Sequence, residues 1–262
     1  MQTFAWFCVI MALVLLYGMR IRSVIGYVRS PLMHWYVGAT LGVGLFLGAV
    51  LTAKLGLSMP RDAAVALHGV VMFVGAWLGL RYWSVWRPWD VPAAVLALVL
   101  VAFYFTDPRT YNNIMFGAVT LGCAVGGYYV TKRWLVAFSL VMACFDGYAV
   151  WGSDIMEQLI EQKPGPFPTE LLVASFFPRH FSIGVMDALL AAMIIVGLVH
   201  HRGIGRAAMF ALAYAGSIFA VGVIALRLAN MGNTLFAHVP MLVILAPLAC
   251  GFLLLSPRGQ AP

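Results

Sequence analysis

Nine apolar runs follow one another along this chain, at residues 3–19, 32–51, 63–80, 91–105, 114–130, 134–152, 181–199, 207–226 and 236–255, and nothing else in it constrains the fold as strongly. A helix needs about 20 apolar residues to cross the hydrocarbon of a bilayer. Inside that hydrocarbon no water bonds a free N–H or C=O, so each run closes its own backbone hydrogen bonds as a helix. The chain is therefore expected to be all-α and polytopic, with about nine transmembrane helices. The fourth run is short and opens beside Pro92, which leaves eight spans if it does not cross. Charged residues make up 10% of the 262 and hydrophobic ones 63%, too little charge to cover a water-soluble surface.

Loop charges supply an independent reading of topology. With the N-terminus outside, the cytoplasmic loops hold Arg20, Arg22, Arg29, Arg81, Arg87, Lys132, Arg133, Arg202, Arg206 and Arg258, ten of the 16 basic residues. Most loop acids fall outside, so the expected orientation is N-out and C-in. The net charge of +7 reflects that bias and not a nucleic-acid partner. The first run lacks a basic stretch before it and has Arg20 and Arg22 after it, which reads as a retained anchor. Cys8, Cys123, Cys144 and Cys250 all lie in apolar runs with no CxxC pair, so neither a disulfide nor a zinc site is expected. The chain is expected to form one transmembrane unit over 1–262: helices 1–5 to residue 133, helices 6 and 7 with their loop over 134–199, and helices 8 and 9 beyond.

Two carboxylates break the apolar pattern. Asp62, Asp90, Asp107, Asp154, Glu157, Glu161 and Glu170 all fall at run ends or in loops, but Asp146 and Asp187 lie inside runs. An ionisable group at bilayer depth costs roughly 3 kcal/mol on insertion scales, so a chain that keeps two has a use for them. Asp146 is six residues before the outer end of its run and Asp187 six after the outer start of the next. At about 1.5 Å per residue the two carboxyls come level, on helices that one loop joins. Two carboxyls sharing a low-dielectric site cannot both ionise. One then activates a water as general base while its protonated partner serves a carbonyl oxygen as general acid. Gly184, three residues before Asp187, is expected on the same helical face, and Gly147 follows Asp146, both reducing bulk where a partner helix or substrate approaches.

These residues resemble a known family. Phe145-Asp146-Gly147-Tyr148-Ala149-Val150-Trp151 resembles the Tyr-Asp motif in the sixth helix of presenilins and signal peptide peptidases. Gly184-Val185-Met186-Asp187 resembles the GxGD motif in the seventh, and Pro240-Met241-Leu242 is similar to the Pro-Ala-Leu motif of the ninth. Phe145 stands where the motif has tyrosine, Met186 where it has its second glycine, and Met241 where it has alanine. The resemblance implies a presenilin-like bundle acting as an intramembrane aspartyl protease, with Asp146 and Asp187 as the catalytic pair. It implies transmembrane segments or signal peptides as substrates and no cofactor. The N-out, C-in orientation is similar to the signal peptide peptidase branch, which handles substrates whose N-terminus faces the cytoplasm.

Other classes stay open on the residues alone. The same aspartates suit a proton- or cation-coupled transporter, or a structural hydrogen bond between helices. His34, His68, His180 and His238 permit a b-type haem, although no helix carries two histidines at ligand spacing. Lys54, Lys132 and Lys163 lie at run ends or in loops, which disfavours a Schiff base. The loop 153–180 reads either as a substrate gate with an edge strand near Leu171 or as part of one long helix, 171–199, kinked at Pro178. Gly69, Gly75 and Gly79, like Gly42, Gly44 and Gly48, suit close helix packing, within the chain or between copies. Trp83, Trp86 and Trp89 beside Arg81 and Arg87 are expected to form an interfacial belt. So compact a chain is expected in a prokaryotic cytoplasmic membrane; the oligomeric state is not legible.

Overall fold

The computed structural model describes residues 2–25, 61–84, 86–152, 173–176, 181–230 and 241–255. Its helices are α1 (Gln2–Ile25), α2 (Arg61–Arg81), α3 (Asp90–Thr106), α4 (Pro108–Tyr129), α5 (Lys132–Trp151), α6 (Val185–Arg202), α7 (Ile204–Asn230) and α8 (Met241–Leu254). Each expected run among the described residues is thus helical for most of its length. The run at 32–51, with Gly42, Gly44 and Gly48, lies outside the described residues, as do His34, His180 and His238.

Local chemistry sets several boundaries. Asp107 caps α4 by accepting from the Thr110 N–H at 3.3 Å, with Pro108 at the first helical position, where no N–H is needed. Thr131 caps α5 by accepting from the Trp134 N–H at 3.5 Å. At the C-terminal end of α2 the Leu80 carbonyl has no partner within the helix, and the Trp89 indole N–H bonds it at 3.0 Å. Trp83 packs its ring 5.2 Å from that of Tyr17 on α1, so of the expected tryptophan belt Trp86 is the exposed member. An Arg81–Asp90 ion pair closes the same turn.

α6 forms the centre of the bundle. Positions 190–199 are all buried, an all-round burial that belongs to an interior helix and not an amphipathic one. α1, α4, α5, α7 and α8 pack around it. α4 approaches so closely that a Cβ at Gly127 would run into the Met193 backbone of α6, and one at Gly122 into the Gly75 backbone of α2. Gly75 and Gly79 face Val119 and the Ala118 carbonyl of α4, so this small-residue spacing serves packing within the chain. Outside, Val70, Val91, Leu98, Met209, Leu212 and Ile224 are exposed. A surface of that kind suits lipid and not water. α1 and α7 are each long and apolar enough to cross a membrane, over Phe4–Ile21 and Ile204–Ile224.

The bundle is helical as expected, with one departure. Strands β1 (Val173–Phe176) and β2 (Phe181–Gly184) pair antiparallel, with Val173 opposite Gly184 and Phe176 opposite Phe181. The helix expected to begin at Phe181 therefore begins at Val185, and the reading of 171–199 as one kinked helix is overturned. A run of four residues does not separate strand from helix by periodicity, and here pairing with β1 decides. Gly184 ends a strand, so its expected place on the helical face of Asp187 is corrected as well.

Gly203 joins α6 to α7 at φ 90°, a left-handed conformation that costs a residue with a Cβ. A Cβ there would meet nothing within 4 Å. Gly203→Ala is expected to lose stability by about 1 kcal/mol from backbone strain alone, read as a lower thermal unfolding midpoint in detergent.

Candidate active site

Asp146 projects from α5 and is half-buried. Its Oδ2 accepts a hydrogen bond from the Leu242 backbone N–H at 3.0 Å. Leu242 is the second residue of α8, and its amide is one of those that a helix start leaves without an internal acceptor. The carboxylate of Asp146 thus occupies the positive end of α8. Asp187 lies in the first turn of α6, also half-buried. Each aspartate therefore meets a helix N-terminus, where a negative charge gains about 0.3–1 kcal/mol and more when partly buried.

Tyr214 on α7 is fully buried. The ring is held in a stack with Phe210, centroids 6.2 Å apart, and edge-on to Phe7 of α1 at 6.1 Å. α5 and α8 thus meet at Asp146, a polar spot in an otherwise apolar bundle.

The residues expected at the site fall as follows. Asp146 and Leu242 meet directly, and Asp187 stands in the first turn of α6. Phe145, next to Asp146 on α5, is half-buried, and Met241 is buried as the first residue of α8. A Cβ at Gly147 would stand 3.5 Å from Val243, so α5 packs on α8 beside Asp146 rather than loosely. Met186 is the second residue of α6, and Gly184 pairs with Val173 across the hairpin. Pro240 lies outside the described residues. Among the described residues no three His, Cys, Asp or Glu side chains group as a metal site. His200 and His201 sit at the far end of α6, where His201 Nε2 is 3.1 Å from the Val130 carbonyl oxygen and His200 packs on Tyr128. One polar element of the site was missed in the sequence, because a backbone amide such as that of Leu242 leaves no trace in a residue pattern.

The same arrangement of helices exists in a solved protein. A presenilin family intramembrane aspartate protease matches 95% of this chain and 95% of its own, with a TM-score of 0.62 at 16% sequence identity. The chain has the presenilin fold. No family model and no curated protein matches its sequence. Within this presenilin fold the two aspartates stand on α5 and α6, consecutive among the described helices, which flank the β1–β2 hairpin. The hairpin is part of the same construction. β2 runs straight into the first turn of α6 that carries Asp187, while β1 packs on α1 and α4.

Proposed function

We propose that this chain is an intramembrane aspartyl protease that hydrolyses peptide bonds within transmembrane segments or signal peptides. The observation that carries this reading is a presenilin fold in which two aspartates each lie at a helix start, Asp146 bonded to the first turn of α8 and Asp187 in the first turn of α6. One carboxylate takes a proton from a water whose oxygen bonds to the scissile carbonyl carbon. The other gives its proton to the carbonyl oxygen, which yields a tetrahedral diol. Collapse of the diol breaks the C–N bond as the leaving nitrogen takes a proton, and both carboxyls return to their starting state. General acid–base catalysis of this kind supplies roughly 10²–10⁴-fold, and fixing the reactants supplies more.

A peptide bond inside a helix must unwind before water reaches it. Among the described residues β1 and β2 form a two-stranded sheet, and the edge of such a sheet accepts an extended segment by strand addition. We assign the hairpin to holding an unwound substrate beside Asp187. With the N-terminus outside and the C-terminus inside, substrates enter with their N-terminus towards the cytoplasm. The experiment is cleavage of a panel of single-span substrates by purified protein in liposomes without an ion gradient. Product supports the protease. Gradient-dependent ion flux with no cleaved substrate supports a coupled transporter on the same aspartates.

The Leu242 amide offers a second test. Leu242→Pro removes the N–H donated to Asp146 at a helix position where proline is tolerated. A hydrogen bond to a charged group is worth about 1.5–3 kcal/mol, so kcat is expected to fall roughly 10- to 100-fold. Leu242→Ala keeps the N–H and serves as the control for the lost side chain.

A further inference from the structure

Other helices hold α8 at both of its ends. The last carbonyls of a helix have no partner within it. At the C-terminal end of α8, Arg202 donates from Nη2 to the Leu253 carbonyl oxygen at 2.9 Å, and Arg206 donates from Nη1 to that of Leu255 at 2.7 Å. Arg202 is the last residue of α6 and Arg206 the third of α7, on either side of the Gly203 turn. Cations gain at a helix C-terminus, where the dipole is negative. Arg206 also stands in the first turn of its own helix, the positive end, so α8 and not α7 accounts for its place. Snorkelling to the membrane surface explains two arginines at this level, but not their turning to the carbonyls of one helix. At the other end of α8 the Leu242 N–H is bonded to Asp146 of α5 at 3.0 Å. Between the two ends lies a missing rung. Pro247 lacks the N–H that the Val243 carbonyl would accept, and an interior proline loosens or bends a helix. The first turns of α8 therefore depend on contacts outside the helix for their height, and a slip of one residue, about 1.5 Å, is more than a hydrogen bond tolerates.

We propose that Arg202 and Arg206 are positioning residues of the active site: by holding the C-terminal carbonyls of α8 they set its height against α6 and α7, and so keep the Leu242 N–H against Asp146. Arg202 makes the link between the two aspartates. α6 carries Asp187 in its first turn and Arg202 in its last, so one helix bears one aspartate and fixes the helix that holds the other. The bond that aligns the site thus lies at the far end of the bundle from it. This role rests on reading Asp146 and Asp187 as the catalytic pair.

Hydrogen–deuterium exchange with residue-level fragmentation reads the Leu242 amide itself and needs no turnover. Asp146→Ala supplies the rate of the unbonded amide. In Arg202→Ala the Leu242 amide is expected to exchange about 10-fold faster than in the native chain, towards that rate, while the buried α6 positions 190–199 stay as slow as before. On a cleaved substrate kcat should fall roughly 10-fold with KM held within about 2-fold, because substrate still binds and the reacting carboxyl is misplaced. Arg202→Lys keeps a donor for the Leu253 carbonyl and should recover most of both. Should Arg202→Ala fail to fold, Arg206→Ala removes only the exposed bond to Leu255 and should speed Leu242 exchange about 3-fold. An unmoved Leu242 rate in a folded variant, or one raised equally along α6, overturns the role and leaves the protease reading standing. A faster Leu242 amide in a chain that cleaves no substrate upholds the clamp on α8 and removes the protease reading instead.

Discussion

Asp187→Asn is expected to lower kcat for a transmembrane substrate by about 1000-fold or more, with little change in the thermal unfolding midpoint, and Asp146→Asn to do the same. Asparagine has the shape of aspartate and keeps an acceptor oxygen, so the bond from the Leu242 N–H to position 146 survives. What asparagine lacks is the ability to take or hold a proton. Neither substitution opens a cavity, and removing a charge from an apolar bundle carries no desolvation penalty. A structural role predicts the reverse pattern, with stability lost and activity tracking the folded fraction. The double variant should be no worse than either single one, because two groups that act as a unit are not additive. Cleavage that survives either single substitution in a folded sample sinks the catalytic assignment.

Gly127→Val is the substitution expected to damage the fold most. Its Cβ would collide with the Met193 backbone of α6, and no side-chain rotation relieves a clash with backbone. The helices must separate, which costs about 1–3 kcal/mol when packing is overfilled. The effect should extend to activity, since α6 carries Asp187 in its first turn and a displacement of about 1 Å at reacting groups costs about 100-fold. Gly122→Val provides the contrast. It collides with the Gly75 backbone of α2, and should lose comparable stability while sparing kcat in the fraction that stays folded. Gly216→Ala on α7 meets nothing within 4 Å and should be neutral or slightly stabilising, by helix propensity. Thermal unfolding in detergent, paired with kcat on the folded fraction, separates the three. Equal loss of kcat in the Gly122 and Gly127 variants would mean that general loosening, and not the seat of α6, governs the site.

Much of the architecture is legible in the chain because a membrane leaves few options. A long apolar run must close its own hydrogen bonds, so eight of the nine runs could be read as helices, and the remaining run, 32–51, lies outside the described residues. Asp107 before Pro108 and Thr131 before Lys132 mark helix starts by local chemistry that needs no partner. Asp146 and Asp187 stand out for the same reason, since a carboxylate inside an apolar run is costly wherever the run packs.

The β1–β2 hairpin is different in kind. Phe181-Ser182-Ile183-Gly184 continues into the apolar residues of α6 without a break, and only the partner strand eight residues back turns it from helix to strand. Burial of α6 on every side was equally unreadable, because lipid-facing and protein-facing helices are both apolar. The sequence by itself therefore determined that the chain is a helical bundle with two aspartates in apolar surroundings. Only the tertiary structure decided that the Leu242 amide meets Asp146, because a hydrogen bond acts across space between helices whose residues lie far apart along the chain.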